Sequence, residues 1–464
     1  MRPYSIKRKQ DALWHLIALG TLTKAHRPDG WSPDDICKPA RVAMIDTSVA
    51  MDHPNLSAAI RRDLAFDLFS TRLGAFPGLP EQKEIGDLGL GDAQALVAGL
   101  PGCKALLCEL MARLAPDQPP QMGTLQPAAS PVFSGHGTAI AGLIGARPAR
   151  VPYSQAHIDG PADGQLPLPY CGADPTCEIV PISTNFDADP EQMILAFLYA
   201  ELVRADVIVL PRGIEDPFRT APQLHAIDFL GQPLGELTAP CPIPEAQREL
   251  WSELAELILK ISHRRPVICA AGNAHEEFGI YPANLASEDN GVISVGALNA
   301  KGWPSSYSPE EGLTVWAPSN DSEQFDSGEV RLNPERLAEI RYGVPPVNDN
   351  HKYSAFGIIS TDVPGPGGYV ATPFDMPERE EGLWEYGSYF CDFGGTSAAC
   401  AIVAGFMALG RGLGQIPADA DGIAAKAWLL SKCQPVRPEL PNVMVPHLHA
   451  MPFEPSDPDE PDEP

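Results

Sequence analysis

An α/β fold, a mostly parallel central sheet with helices on both faces, is predicted by three observations. First, five short runs are almost continuously apolar: RVAMIDTSV (41–49), EIVPIST (178–184), ADVIVLP (205–211), RPVICAAGN (265–273) and NGVISVGAL (290–298). Unbroken apolarity, rather than alternation, marks strands covered on both faces. Second, helical periodicity lies between these runs, at 136–146, at 190–204 and in PEAQRELWSELAELILKISHR (244–264). In the last, Leu250, Leu254, Leu257, Ile258 and Ile261 form one stripe. Third, strand and helix alternate along the chain, which implies right-handed crossovers between parallel strands.

Around these elements the chain divides as follows. Residues 1–40 read as an N-terminal helical extension: a basic start and a short apolar patch, with Asp11 and His15 interrupting what a signal peptide would need. Residues 41–433 form the main domain, with insertions at about 65–130, 147–177, 214–243 and 319–353. The first insertion holds one expected helix, DAQALVAGLPGCKALLCELMARL; the second and third are Pro-rich loops. Residues 434–464 are a Pro-rich acidic tail, expected to be disordered, because prolines and carboxylates alternate there with no apolar period.

Composition narrows the function classes. The 464 residues are 44% hydrophobic and 20% charged, a globular balance with ample length for a large core. A formal net charge of −27 argues against a nucleic-acid phosphate backbone or an anionic membrane as partner. No run of about 18 uninterrupted apolar residues occurs, so no transmembrane helix is expected. Ten cysteines are too sparse for a disulfide scaffold. Cys171 and Cys177 in CGADPTC are near enough in sequence to bridge or to share a metal, although no CxxC pair or nearby histidine completes a site. The cytoplasm is the expected location.

Three clusters place a reactive side chain at the end of a core element. Asp46 closes an apolar strand, where sites in open α/β sheets form, though a turn aspartate capping the next segment fits too. His136 stands between two glycines in SGHGTAIAGLIGA, which leave its imidazole uncovered; a structural histidine is the alternative. Ser397 follows Gly394, Gly395 and Thr396 in FGGTSAACAIVAGFMALG, at the start of a helix of small residues. There the unpaired N–H groups favour negative charge near its hydroxyl, while a plain N-cap serine is the simpler role. Taken together, an aspartate, a histidine and a serine are the parts of a triad hydrolase.

At this point the sequence resembles the subtilisin-like serine peptidases. VAMIDTSVAMDHPNL is similar to the family's strand-Asp-Thr-Gly segment followed by His-Pro-Asp-Leu, and GHGTAIAGLIGA to its Gly-His-Gly-Thr-x-Val-Ala-Gly helix. GTSAACAIVAG resembles the nucleophile helix. VICAAGNAHEEFGIYPANLASEDNGVISVGAL resembles the segment carrying the oxyanion asparagine, and SSYSPEEGLTVWAPS and GIISTDVPGPGGY the segments that follow it. The motifs run in family order from residue 41 to about 430.

The resemblance implies a subtilisin-like three-layer α/β fold and a serine endopeptidase acting on a polypeptide. Carried over residue by residue, Asp46 orients the base, His136 is general base then acid, and Ser397 is the nucleophile. Asn273 donates to the oxyanion through its side-chain amide, with the Ser397 N–H as second donor; a turn residue is the alternative reading of Asn273. The substrate strand is expected at Arg212 and Gly213, facing Ala271 and Gly272. Family members often hold structural calcium, but no compact carboxylate run with ligand spacing is present, so no cofactor or metal is expected.

The sequence also departs from the family pattern. Pro211 and Arg212 stand where Ser-Leu is usual, and a proline cannot donate a ladder hydrogen bond. Arg212 has two candidate partners: Glu215 or Asp216 within the chain, or an acidic residue of the substrate. The intervals between the triad residues are longer than a minimal member needs, which places insertions at the active-site rim and suggests restricted access, with 65–130 as a lid. Few residues precede Asp46, so an intracellular protein without a cleaved propeptide is expected. The competing function is a catalytically silent binding protein that keeps the fold; an esterase, or a peptidase confined to one partner, is a third.

Overall fold

The computed structural model describes residues 12–69, 71–75, 90–115, 131–154, 163–185, 188–214, 216, 245–274, 276–300, 302–305, 307–320, 357–363 and 389–449. Its centre is a seven-stranded parallel sheet of β1 (Arg41–Asp46), β2 (Phe66–Asp67), β5 (Glu178–Ser183), β6 (Val207–Leu210), β7 (Val267–Ala270), β8 (Val292–Leu298) and β9 (Val315–Pro318). Spatial order is β2-β5-β1-β6-β7-β8-β9, so the chain runs outward one way from β1 and then crosses back over it. β1 is the topological switch point, and the crevice at its carboxyl end is where such sheets bind ligands. Asp46 is its last residue.

The continuous apolarity of the strands has a direct cause. Along β1, Val42 and Met44 enter one core cluster and Ala43 and Ile45 the other. The same split holds for Ile268 and Ala270 against Val267 and Cys269 on β7. Both faces of each strand are therefore buried, as period-2 geometry requires of a sheet between two helical layers.

One layer is made by α4 (Pro131–Gly145) and α7 (Gly395–Gly412). The other contains α5 (Pro190–Leu202), with Pro190 as its first residue and Asp189 capping the Gln192 N–H at 2.8 Å, and α6 (Glu245–Arg264), whose predicted stripe is buried at Leu254, Leu257, Ile258 and Ile261. α4 and α7 pack closely because their contact residues are small. A Cβ at Gly405 would lie 2.6 Å from the Ile144 carbonyl oxygen.

Four segments differ from expectation. The single helix expected in 92–114 is two, α2 (Leu90–Leu96) and α3 (Pro101–Arg113). Gly99 at φ +84° and Pro101 break it. These helices pack against α5 and α6, while 70, 76–89 and 116–130 of the expected lid lie outside the described residues. Within 147–177, read as a Pro-rich loop, β3 (Ala149–Ser154) and β4 (Asp163–Leu168) pair antiparallel. Pro152 and Pro167 are tolerated because in a two-stranded sheet every strand is an edge.

The expected N-terminal helix is short, α1 (Trp14–Ala18), and residues 1–11 lie outside the described residues. Of the expected disordered tail, residues up to 449 are ordered. β12 (Cys433–Pro435) and β13 (Met444–Pro446) form an antiparallel pair after α8 (Gly422–Ser431), with Val436, Val443, Val445 and Leu448 buried. Their apolar side chains supply the burial that holds this pair in place. Residues 450–464, and nearly all of 214–243 and 319–353, lie outside the described residues.

Candidate active site

The loop leaving β1 and the start of α4 are clipped together. The Gly137 N–H donates to Thr47 Oγ1 at 3.0 Å, and the Ala50 N–H to Thr138 Oγ1 at 2.9 Å. Gly137 is required by this approach: a Cβ there would lie 2.5 Å from the Thr47 carbonyl oxygen and 2.7 Å from that of Ser48. On the far side of α4, the β10–β11 pair (Ile358–Thr361 and Phe390–Phe393) sends Thr361 Oγ1 to the Thr138 carbonyl at 2.7 Å. α4 is thus fixed between two loops, and His136 with it.

His136 Nδ1 lies 2.9 Å from Asp46 Oδ1 and 3.0 Å from Oδ2. A carboxylate only accepts, so Nδ1 carries the proton and Nε2 of the neutral ring is the basic nitrogen. Both side chains are buried, Asp46 completely. The Phe393 ring meets the imidazole edge-on at 5.4 Å. Burial alone would raise the Asp46 carboxyl; the charge and hydrogen bond of His136, the Arg212 guanidinium and the Thr47 N–H together hold it below the ordinary carboxylate range.

Ser397 is the third residue of α7, on the turn whose N–H groups lack intrahelical partners. The Gly395 N–H donates to Asn320 Oδ1 at 3.3 Å and the Thr396 N–H to Asn273 Oδ1 at 2.8 Å. The Ala398 N–H reaches the Gly394 carbonyl at 3.3 Å. Among the described residues the Ser397 N–H has no partner, which leaves it as the open donor of this helix end.

Asn273 is held by its oxygen. Besides the Thr396 N–H, Oδ1 accepts from Thr396 Oγ1 at 3.0 Å, and Thr396 Oγ1 in turn accepts from the Gly272 N–H at 3.0 Å. With the carbonyl side of the amide engaged, Nδ2 is the side turned out to donate.

The four predicted residues lie at one end of the sheet, around the start of α7. His136 rests on Phe393, four residues before Ser397; Asn273 is bonded to Thr396, immediately before it; and the field of Asp46 acts on Cys400, one turn after it. Of the expected substrate residues, Arg212 and Gly213 follow β6 and Ala271 and Gly272 follow its neighbour β7, with Ile280 lying over both glycines. The Arg212 side chain is turned inward, 3% exposed, and donates to Thr184 Oγ1 and, at 2.6 Å, to the Asn185 carbonyl. Asp216 accepts from Asn284, and Glu215 lies outside the described residues.

Thr396, Thr47 and Thr184 tie the site residues to their scaffold, a part that sequence alone does not assign to them. Their one available signal is position, since each directly adjoins a site residue or ends a core strand. Cys171 and Cys177 are buried free thiols. Among the described residues no group of three or more His, Cys, Asp or Glu is arranged to hold a metal ion, and no helix is long and apolar enough to cross a membrane.

The profile of the subtilase family matches residues 38–416. The chain belongs to the subtilase family. Its fold is the subtilisin-like α/β fold of serine proteases. No curated protein matches the chain. Among solved structures it is similar to the serine protease of Aeromonas sobria, at 16% identity and a TM-score of 0.48 over 92% of this chain and 57% of that one. The chain thus spans 57% of that protease's length. It is also similar to a cold-adapted subtilisin-like serine proteinase, at 12% identity and 0.45 over 94% and 98%. A third is the nisin leader peptidase NisP from Lactococcus lactis, at 14% identity and 0.46 over 94% and 92%.

Proposed function

We propose that this subtilase is an active serine endopeptidase working through an acyl-enzyme intermediate. Ser397 Oγ attacks the scissile carbonyl carbon as His136 Nε2 takes its proton. The oxyanion is held by Asn273 Nδ2 and the Ser397 N–H. The C–N bond then breaks, the leaving amine takes the proton from His136, and water repeats the sequence on the ester. Asp46 holds the imidazole tautomer and balances the charge formed in each step. The substrate backbone runs between 212–213 and 271–272, and the insertions restrict which chains enter.

The observation that carries the reading is the buried hydrogen bond between His136 Nδ1 and Asp46, which a structural histidine has no need of and a general base does. A cytoplasmic location remains part of the proposal, supported by the free thiol state of every described cysteine. Treatment with a fluorophosphonate probe, beside Ser397→Ala, tests the reading. Labelling of the wild type and not of the variant is expected. Labelling of neither means a silent fold that binds without cutting.

A further inference from the structure

The exchange of Ser-Leu for Pro211-Arg212 puts a strong base into an otherwise apolar strand end, and its side chain goes to the triad's foundations. Arg212 is 3% exposed and Thr184 1%. The guanidinium donates to Thr184 Oγ1 and to the Asn185 carbonyl, at the point where β5 leaves the sheet beside β1. The Thr184 N–H donates to the Asp46 carbonyl at 2.8 Å. Arg212, Thr184 and Asp46 are therefore joined in one chain of hydrogen bonds across three adjacent strands.

We propose that Arg212 is a positioning residue for Asp46: its buried, clamped guanidinium is a fixed positive charge at the base of the triad that keeps the Asp46 carboxylate ionised and its strand end in register with His136. The inference rests on the peptidase reading of the site. In this position the guanidinium meets Thr184 and Asn185 rather than the cleft, so Arg212 borders the substrate through its backbone.

Charge accounting supports it. A fully buried carboxylate is costly unless paired. His136 and Arg212 both act on Asp46 in the direction that keeps it ionised, His136 the more strongly, through its charge and its hydrogen bond. Among the described residues, the titratable and charged groups acting on or within the field of Asp46 are His136 from α4, Arg212 after β6 and Cys400 from α7; β5 presents Ser183 and Thr184. Burial pushes the Cys400 thiol well up, so it stays uncharged. Arg212 adds a cation that no working pH removes, and its effect on Asp46 is in the same stabilising direction. A guanidinium suits the place better than an ammonium, because its planar fork reaches two acceptors at once without losing charge.

The test is the rate of fluorophosphonate labelling against pH for the wild type, Arg212→Met and Arg212→Lys. The acid limb belongs to the Asp46–His136 pair jointly. Arg212→Met should move it to higher pH by about one unit, and Arg212→Lys, which keeps the charge, by less. A limb unmoved in Arg212→Met, or moved equally in both, overturns the inference. Should Arg212→Met not fold, Thr184→Val removes the clamp and leaves the charge; a smaller upward shift supports the inference and none overturns it. A wild type that is never labelled sinks the peptidase reading instead. The inference is then decided by the midpoint pH at which the downfield proton NMR resonance of His136 Nδ1–H changes position. A midpoint at higher pH in the variant supports it, and an unchanged midpoint overturns it.

Discussion

Thr396 holds Asn273 twice through one oxygen: its N–H at 2.8 Å and its hydroxyl at 3.0 Å both donate to Asn273 Oδ1. The residue before Ser397 thereby orients the Asn273 amide, which in the proposed mechanism faces the developing charge. Such orientation, prepared before the reaction, is what makes a hydrogen-bond donor worth more in a site than in water.

Asn273→Leu should leave the fold intact and lower the labelling rate by about 10²–10³-fold, the usual loss for one oxyanion donor. Thr396→Val keeps one of the two bonds and should cost about tenfold. Second-order rate constants for the fluorophosphonate probe measure both. A Thr396→Val loss as large as that of Asn273→Leu would mean that the hydroxyl does more than orient.

Asp46→Asn is nearly isosteric but can present an amide N–H to Nδ1, which turns the imidazole to the wrong tautomer. The rate should fall about 10⁴-fold, with little change in melting temperature. Equal activity of the two proteins would remove Asp46 from the mechanism.

Gly137→Ala tests the fit of α4 against the strand loop. The new methyl would meet the Thr47 and Ser48 carbonyl oxygens at 2.5 and 2.7 Å, and backbone gives way poorly. A loss of about 1–3 kcal/mol in stability is expected. Thermal unfolding reads this directly, and the labelling rate should fall with it because His136 is the adjacent residue.

Asp174 gives a pH signature away from the site. Burial raises its carboxyl from 3.8 to about 6, against bonds from Thr176 and the charge of Arg147. Oδ2 has no hydrogen-bond partner. Because the folded value is the higher, the native state binds the extra proton between about 3.8 and 6, and the stability this group gives is present below that window and lost as pH rises through it. Asp174→Asn keeps the acceptor for Thr176 without the charge. Melting temperatures should rise relative to the wild type at neutral pH and converge with it in acid; a constant offset at all pH values would contradict the assignment.

The sheet was legible because its physics is local: side chains on both faces of each strand are apolar, as at Val42 to Ile45, so five strands announce themselves. Positions 136 and 397 stand out in the sequence because glycines and small residues cluster around them for reasons of close approach. Less was readable where structure depends on partners distant in sequence. The β3–β4 hairpin hides behind two prolines that only an edge strand accepts. The inward turn of Arg212 depends on acceptors at 184 and 185, and nothing in its neighbours announces them. The β12–β13 hairpin follows from a few valines set among charged and proline residues, and composition averages those away.

The site draws its parts from positions 46, 136, 273 and 397, each delivered by a different strand or helix. Local structure alone brings no two of them together; Asp46, His136, Asn273 and Ser397 come to one end of the sheet only after β1, α4, β7 and α7 have docked. Long-range closure of this kind comes late and all at once. If Ser397 is the nucleophile proposed above, a partly folded chain is chemically inert, covalent labelling at Ser397 counts native molecules, and the nascent chain is protected from its own chemistry until its architecture is complete.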